Sequence, residues 1–112
     1  MTDIVKEIAN HIYSDAVSLE VDWKNSKNNP IYIIGHRNGC RIYYIISIVN
    51  ELDVFLHIIC VDPNKPYDRK EAGYDYGLAT FEDKLEFQNA INQLCIDIYN
   101  SGLKLQKLID FI

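Results

Sequence analysis

The sequence has few cysteines, no long apolar run and a shortage of basic residues, and each of these excludes a class of protein. The cysteines, Cys40, Cys60 and Cys95, are odd in number and isolated, so we expect reduced thiols and no metal site. No apolar stretch approaches the ~20 residues of a membrane helix, because polar residues at 50–53 interrupt the longest one. Sixteen acidic residues outnumber 11 basic ones, and the net charge of -5 disfavours direct binding to nucleic acid.

Length and composition favour a single globular domain over residues 1–112. Hydrophobic residues make up 48 % of the chain and charged residues 24 %, which is typical of folded proteins rather than disordered ones. A chain of this length is large enough to bury a core without disulfides. The N-terminal residues carry neither a basic stretch nor an apolar segment of the secretory kind, which predicts a cytoplasmic protein.

Hydrophobic periodicity predicts one helix followed by four strands. Apolar residues recur at helical spacing over 3–14, whereas apolar and polar residues alternate strictly over 17–23. The segment 31–61 is rich in β-branched and aromatic residues, which predicts three further strands separated at Asn38-Gly39 and at 50–53. Asn-Gly accepts positive φ in a tight turn, so the strands on its two sides should pair antiparallel.

The last third of the chain predicts a long helix and then a short one. Thr80 is a suitable N-cap, helical spacing of apolar residues continues to about 100, and Ser101-Gly102 should end the helix. The apolar residues of 103–112 then form a short second helix or an extended tail. Its end, Phe111-Ile112, is covered by the sheet or by another protein chain. The predicted fold is therefore α+β: a four-stranded antiparallel meander with its helices on one face and the other face open.

The segment 62–77 is the most distinctive feature, because tyrosines alternate there with charged and amide residues. Tyrosine is enriched at protein interfaces, and a loop this long in a small domain is usually functional. We therefore predict a recognition loop. A connection whose tyrosines only cover the core is the alternative. The expected partner-binding residues are Asp62, Tyr67, Asp68, Glu71, Tyr74, Asp75 and Tyr76.

No catalytic motif is present in the sequence. The serines lie in no nucleophile elbow, the glycines of 35–39 do not have phosphate-loop spacing, and the calcium-like start at Asp62 lacks the required glycine. The strongest enzymatic hypothesis is a histidine-pair ribonuclease that uses His36, beside Arg37, and His57. A polar turn residue and a hydrogen-bonded strand histidine are the alternatives, so we expect no enzyme and no cofactor.

Carboxylates interleaved with tyrosines imitate the charge and stacking surfaces of a nucleic acid, which favours a basic protein partner such as a nuclease toxin. In size, acidity and absence of a catalytic motif, the chain resembles bacterial toxin-immunity proteins and phage-encoded inhibitors, although no shared motif supports this resemblance. We therefore expect an inhibitor or immunity-type protein, a monomer or a homodimer. The alternatives are a chaperone, adaptor or self-assembling module, and a small enzyme or ligand binder.

Overall fold

A five-stranded sheet and two helices make up the described part of the chain. The computed structural model describes residues 2–26, 29–65 and 67–110, with side chains over 4–26, 29–65 and 67–101. Every neighbouring pair of strands is antiparallel, and the strands lie in the sheet in the order in which they occur in the chain. The elements are α1 (Thr2–Asp15), β1 (Ser18–Val21), β2 (Ile31–Arg37), β3 (Cys40–Val49), β4 (Asp53–Val61), β5 (Arg69–Gly77) and α2 (Phe81–Asp110).

The α+β class and the meander order are confirmed, but the predicted number of strands is wrong. The segment predicted as a recognition loop contains β5, which pairs along its whole length with β4. All of its residues except Tyr76 are exposed, so β5 has no apolar alternation by which a strand is recognised. It forms because β4 presents a row of backbone hydrogen-bonding groups that need partners.

The prediction of two helices after the sheet is also wrong. Thr80 does cap α2, since its Oγ1 accepts a hydrogen bond from the backbone N–H of Asp83 at 3.1 Å. The helix then continues through Ser101-Gly102 to Asp110. A glycine costs a helix only about 1 kcal/mol relative to alanine, and the Leu, Lys and Gln residues that follow are good helix formers. The predicted apolar end, Phe111-Ile112, lies outside the described residues.

Tight turns fix the register of the central strands. Asn38 and Gly39 have φ values of 51° and 81°, and Arg37 pairs with Cys40 across them, as the Asn-Gly dipeptide predicts. Asn50, at the turn from β3 to β4, also adopts a positive φ of 57°. These two turns set the registers of the β2–β3 and β3–β4 pairs. Residues that face each other across a pair, and alternate residues along a strand, therefore share one face of the sheet.

Both helices cover the same face of the sheet. Ile8 and Ile12 of α1 and Phe87 and Ile91 of α2 are buried in one cluster with alternate residues of the strands, among them Tyr44. All the strand residues of this cluster share one side of the sheet by register. Neither helix, over the residues that the structure describes, is long and apolar enough to cross a membrane.

Candidate functional site

Strand β5 forms one edge of the sheet. Its nine residues pair with β4 on one side, and it is the last strand in the sheet order. The opposite edge strand, β1, has only four residues and lies against α2. An exposed edge strand presents unpaired backbone N–H and C=O groups, to which another extended chain can add. Strand β5 is therefore the longer and more accessible edge.

The direction of the β5 backbone groups follows from the hydrogen bond just after the strand. The N–H of Leu78 donates to the carbonyl of Leu52 at 2.7 Å, in register with the β4–β5 pairs. Hydrogen-bonded positions alternate along an antiparallel ladder. Residues at even positions of β5 therefore bond to β4, whereas Glu71, Gly73 and Asp75 direct their backbone groups away from the sheet.

A wide groove of about 670 Å³ lies between α1 and β5. Its acidic side chains are Glu7 and Asp15 of α1. Asp75 also lines it, although strand alternation places the Asp75 side chain on the opposite face of β5. Among the residues that the structure describes, none that lines the groove is a lysine or an arginine, so its field is negative and favours a cationic ligand. The lining residues are Glu7, Asn10, His11, Ser14, Asp15, Gly73, Tyr74, Asp75 and Tyr76.

Two tyrosines of β5 form the floor and wall of this groove. Tyr74 packs against His11 with ring centroids 4.4 Å apart, and it remains 38 % exposed. Tyr76 is half-buried and packs against the core. Burial raises the pKa of the Tyr76 phenol, and the nearby Glu7 carboxylate raises it further. The Tyr76 phenol thus remains a protonated hydrogen-bond donor beside the carboxylates of the groove.

The structure brings together only part of the predicted partner-binding set. Tyr74, Asp75 and Tyr76 line the groove. Glu71 lies on the opposite face of the sheet, where its carboxylate is 2.7 Å from the Arg69 guanidinium. The remaining three residues, Asp62, Tyr67 and Asp68, belong to the stretch between β4 and β5. Asp62 accepts a hydrogen bond from the backbone N–H of Asn64, and Tyr67 is 99 % exposed.

The α1 side of the groove is absent from the predicted set. Glu7, His11 and Asp15 are spaced four residues apart, so they form one polar stripe along the helix. That stripe lies beside the apolar stripe containing Ile8 and Ile12, and its spacing is visible in the sequence. What the sequence does not show is that β5 lies opposite to it.

The two histidines of the ribonuclease hypothesis lie far apart on the uncovered face. His36 Nε2 is 3.5 Å from Glu20 Oε1, and His57 Nε2 is 3.8 Å from Glu71 Oε2. By register, His36 aligns through β3 with Val61 of β4, four residues from His57. Four residues of a strand span roughly 13 Å, and β3 lies between the two strands as well. The two imidazoles therefore do not form a pair.

Beneath the helices, Tyr44 is fully buried, and its hydroxyl has no hydrogen-bond partner among the side chains and backbone groups that the structure describes. Burial raises the pKa of this phenol, and the Asp15 carboxylate raises it further. Because an unsatisfied buried hydroxyl costs about 1–3 kcal/mol, Tyr44→Phe should increase the free energy of unfolding by about 1 kcal/mol. Urea unfolding at pH 7 measures this change, with the half-exposed Tyr99→Phe as the control that should leave stability unchanged.

The pH dependence of stability gives a second readout of the same variant. A phenol whose pKa is raised by folding contributes stability that is complete below its ordinary pKa of 10.0 and is lost as the pH rises above it. The wild type should therefore lose stability above pH 10 more steeply than Tyr44→Phe. Destabilisation by Tyr44→Phe at pH 7 would show instead that the hydroxyl hydrogen-bonds with Asp15.

No group of three or more His, Cys, Asp or Glu side chains within the described ranges is arranged to hold a metal ion. Comparison with protein-family models, curated proteins and solved structures finds no match to this chain. The geometry of the groove and of β5 is therefore the basis for assigning a function.

Proposed function

We propose that this chain is a protein-binding module of the inhibitor or immunity type, which neutralises a basic partner such as a nuclease domain. The observation that carries the proposal is the groove between α1 and β5, where acidic and tyrosine side chains lie beside an exposed edge strand. The bound segment is an extended, cationic stretch of the partner. It adds to β5 as a sixth strand and directs alternate side chains towards α1.

Electrostatic attraction is the first component of binding. The chain carries a net charge of -5, and Glu7 and Asp15 concentrate negative charge at the groove. Such a field accelerates the association of a basic protein and weakens as salt is added. Lysine or arginine side chains of the partner lie between these carboxylates, where they also contact the faces of Tyr74 and Tyr76.

Backbone pairing is the second component. The outward N–H and C=O groups at Glu71, Gly73 and Asp75 supply hydrogen bonds that do not depend on the partner's sequence. Charged residues on an edge strand also protect it from unspecific pairing between copies. Arg69, Lys70 and Glu71 at the start of β5 serve this role, whereas the tyrosine-containing half beyond them meets the groove.

Selection from a random peptide library on the immobilised protein tests this proposal. We expect enrichment of extended peptides rich in lysine or arginine at alternate positions, because the groove is acidic and strand side chains alternate. Their binding should fall on Glu7→Lys and should weaken as salt is added. The matched control is Asp97→Lys, which changes charge equally on the exposed side of α2. Enrichment of acidic or apolar peptides, or equal loss in both variants, would contradict the proposal.

A further inference from the structure

The face of the sheet opposite the helices carries an apolar patch in which His57 is the one histidine among the described residues. By register, the patch is formed by neighbouring side chains of β2, β3 and β4: Tyr32, Ile34, Tyr43, Ile45, Phe55 and Ile59, with His57 between the last two. None of these six residues belongs to the core cluster beneath the helices. Ile59 is nevertheless buried, with only 8 % of its surface exposed. Among the described residues, the helices contribute their buried side chains to the other face alone. An apolar patch of this size on a small domain marks an interaction surface.

Charges surround this patch, and those without an ion-pair partner are separated along the strand direction. His36, Arg41 and Arg69 lie in one row at one end of the face, where Glu20 lies beside His36 and Glu71 beside Arg69. At the opposite end, Asp53 pairs with Val49 in the last row, and Asp75 pairs with Phe55 in the row before it. In the part of the chain with described side chains, Arg41, Asp53 and Asp75 have no ion-pair partner. An apolar centre with a charged rim is the usual anatomy of a protein interface.

We infer that this face binds a second copy of the chain, so that two sheets pack face to face in a symmetric dimer. Five strands about 4.8 Å apart and roughly 26 Å long give roughly 600 Å² per copy, or roughly 1,200 Å² for the pair. This area reaches the roughly 1,000 Å² needed for a specific interface. A homodimer interface is also more apolar than the contact surface of a transient partner, as this patch is.

The separated charges define the orientation of the two copies. One possible two-fold axis lies between the two faces and runs perpendicular to the strands. This axis places each strand over the same strand of the second copy, and the two strands run in opposite directions. The end that carries the unpaired Arg41 in one copy then lies over the end that carries the unpaired Asp53 in the other. Arg41 of one copy comes near Asp53 of the second copy. The two-fold symmetry generates an equivalent contact between Asp53 of the first copy and Arg41 of the second. An axis along the strands would place like charges together, which disfavours that arrangement.

The dimer contact and the groove use different surfaces, since α1 and the groove lie on the opposite side of the sheet. Light scattering after size-exclusion chromatography should give the wild type a mass of twice 13.0 kDa. Ile45→Lys, at the centre of the patch, should give the monomer mass. Leu85→Lys, which makes the same change at a 62 % exposed position on α2, should leave the dimer intact.

Circular dichroism confirms that the variants are folded, and Tyr43→Lys supplies the same test if Ile45→Lys does not fold. A monomeric wild type at the highest soluble concentration would overturn the inference and would assign the patch to a different protein. A dimer that persists in folded Ile45→Lys or Tyr43→Lys would also overturn it.

Charge reversal tests the orientation. Arg41→Glu and Asp53→Lys should each raise the dimer Kd by about tenfold, because the two-fold axis doubles the effect of every contact. The double variant Arg41→Glu/Asp53→Lys should recover most of the wild-type affinity, since the pair is restored with exchanged signs. Additive weakening in the double variant would overturn the proposed antiparallel arrangement.

Discussion

Gly35→Ala should lower the free energy of unfolding by about 2–3 kcal/mol, because the position has no room for a methyl group. A Cβ atom at Gly35 would lie 2.7 Å from the Cβ of Ala16 and 3.2 Å from Cε2 of Tyr44. The Ala16 Cβ is attached directly to the backbone between α1 and β1. Its neighbour Val17 donates a hydrogen bond to the carbonyl of His36 at 2.9 Å, which holds this connection against β2.

Gly77→Ala is the matched control for this effect. A Cβ at Gly77 meets nothing within 4 Å, and its φ lies outside the left-handed region. The substitution should therefore leave the free energy of unfolding unchanged or increase it by up to about 1 kcal/mol, because alanine gives the unfolded chain less conformational entropy than glycine does. Chemical denaturation of the two variants measures both changes. Equal stabilities of Gly35→Ala and the wild type would show that α1 does not pack against β2 at this point.

Tyr74→Ala and Asp75→Ala should each weaken partner binding by more than ~1 kcal/mol, or more than about fivefold in Kd, with little change in folding stability. Tyr74 supplies the exposed aromatic surface of the groove through its contact with His11. Asp75 lines the same groove as part of β5, and its carboxylate, on the opposite face of the strand, adds to the negative charge at this edge of the sheet. Titration calorimetry with a selected basic peptide measures the change in affinity, and thermal unfolding measures the change in stability.

Tyr99→Ala is the matched control, because Tyr99 is 49 % exposed and contacts Trp23, which does not line the groove. Its peptide affinity should equal that of the wild type. If Tyr74→Ala and Asp75→Ala also bound with wild-type affinity, the groove would not be the binding site.

Local sequence signals account for most of the fold. The Asn38-Gly39 turn fixes the β2–β3 hairpin because only a few residues accept positive φ at both central positions. The apolar stripe of α1 and the Thr80 cap of α2 likewise depend on neighbouring residues alone. Such features can be predicted from short windows of sequence, and they agree with the structure.

Strand β5 shows where prediction from local sequence fails. Gly73, Gly77 and the charged residues between 69 and 75 are unfavourable for strands, and only Tyr76 is shielded from solvent. Its strand conformation depends on pairing with β4, which is a tertiary interaction. The continuation of α2 past Gly102 is a second such case, since the local stop signal is weaker than the helix propensity of the residues on both sides.

The candidate site could be predicted only in part for the same reason. The tyrosines and carboxylates of 62–77 attract attention by composition, and three of them, Tyr74, Asp75 and Tyr76, do meet in the groove. Strand alternation directs the side chains of Glu71 and Asp75 to the other face, which a loop would not do. The contribution of α1 becomes visible only when β5 is known to lie beside it.

The proposed function requires this chain to bind a basic protein through the groove between α1 and β5. The most direct test is affinity capture of the tagged protein from a lysate of the organism that encodes it, supplemented with the product of the adjacent gene. We expect the wild type to recover a single basic protein in equal amount, and the Tyr74→Ala/Asp75→Ala double variant to lose it. Recovery of no basic protein, or equal recovery by both forms, would contradict the claim.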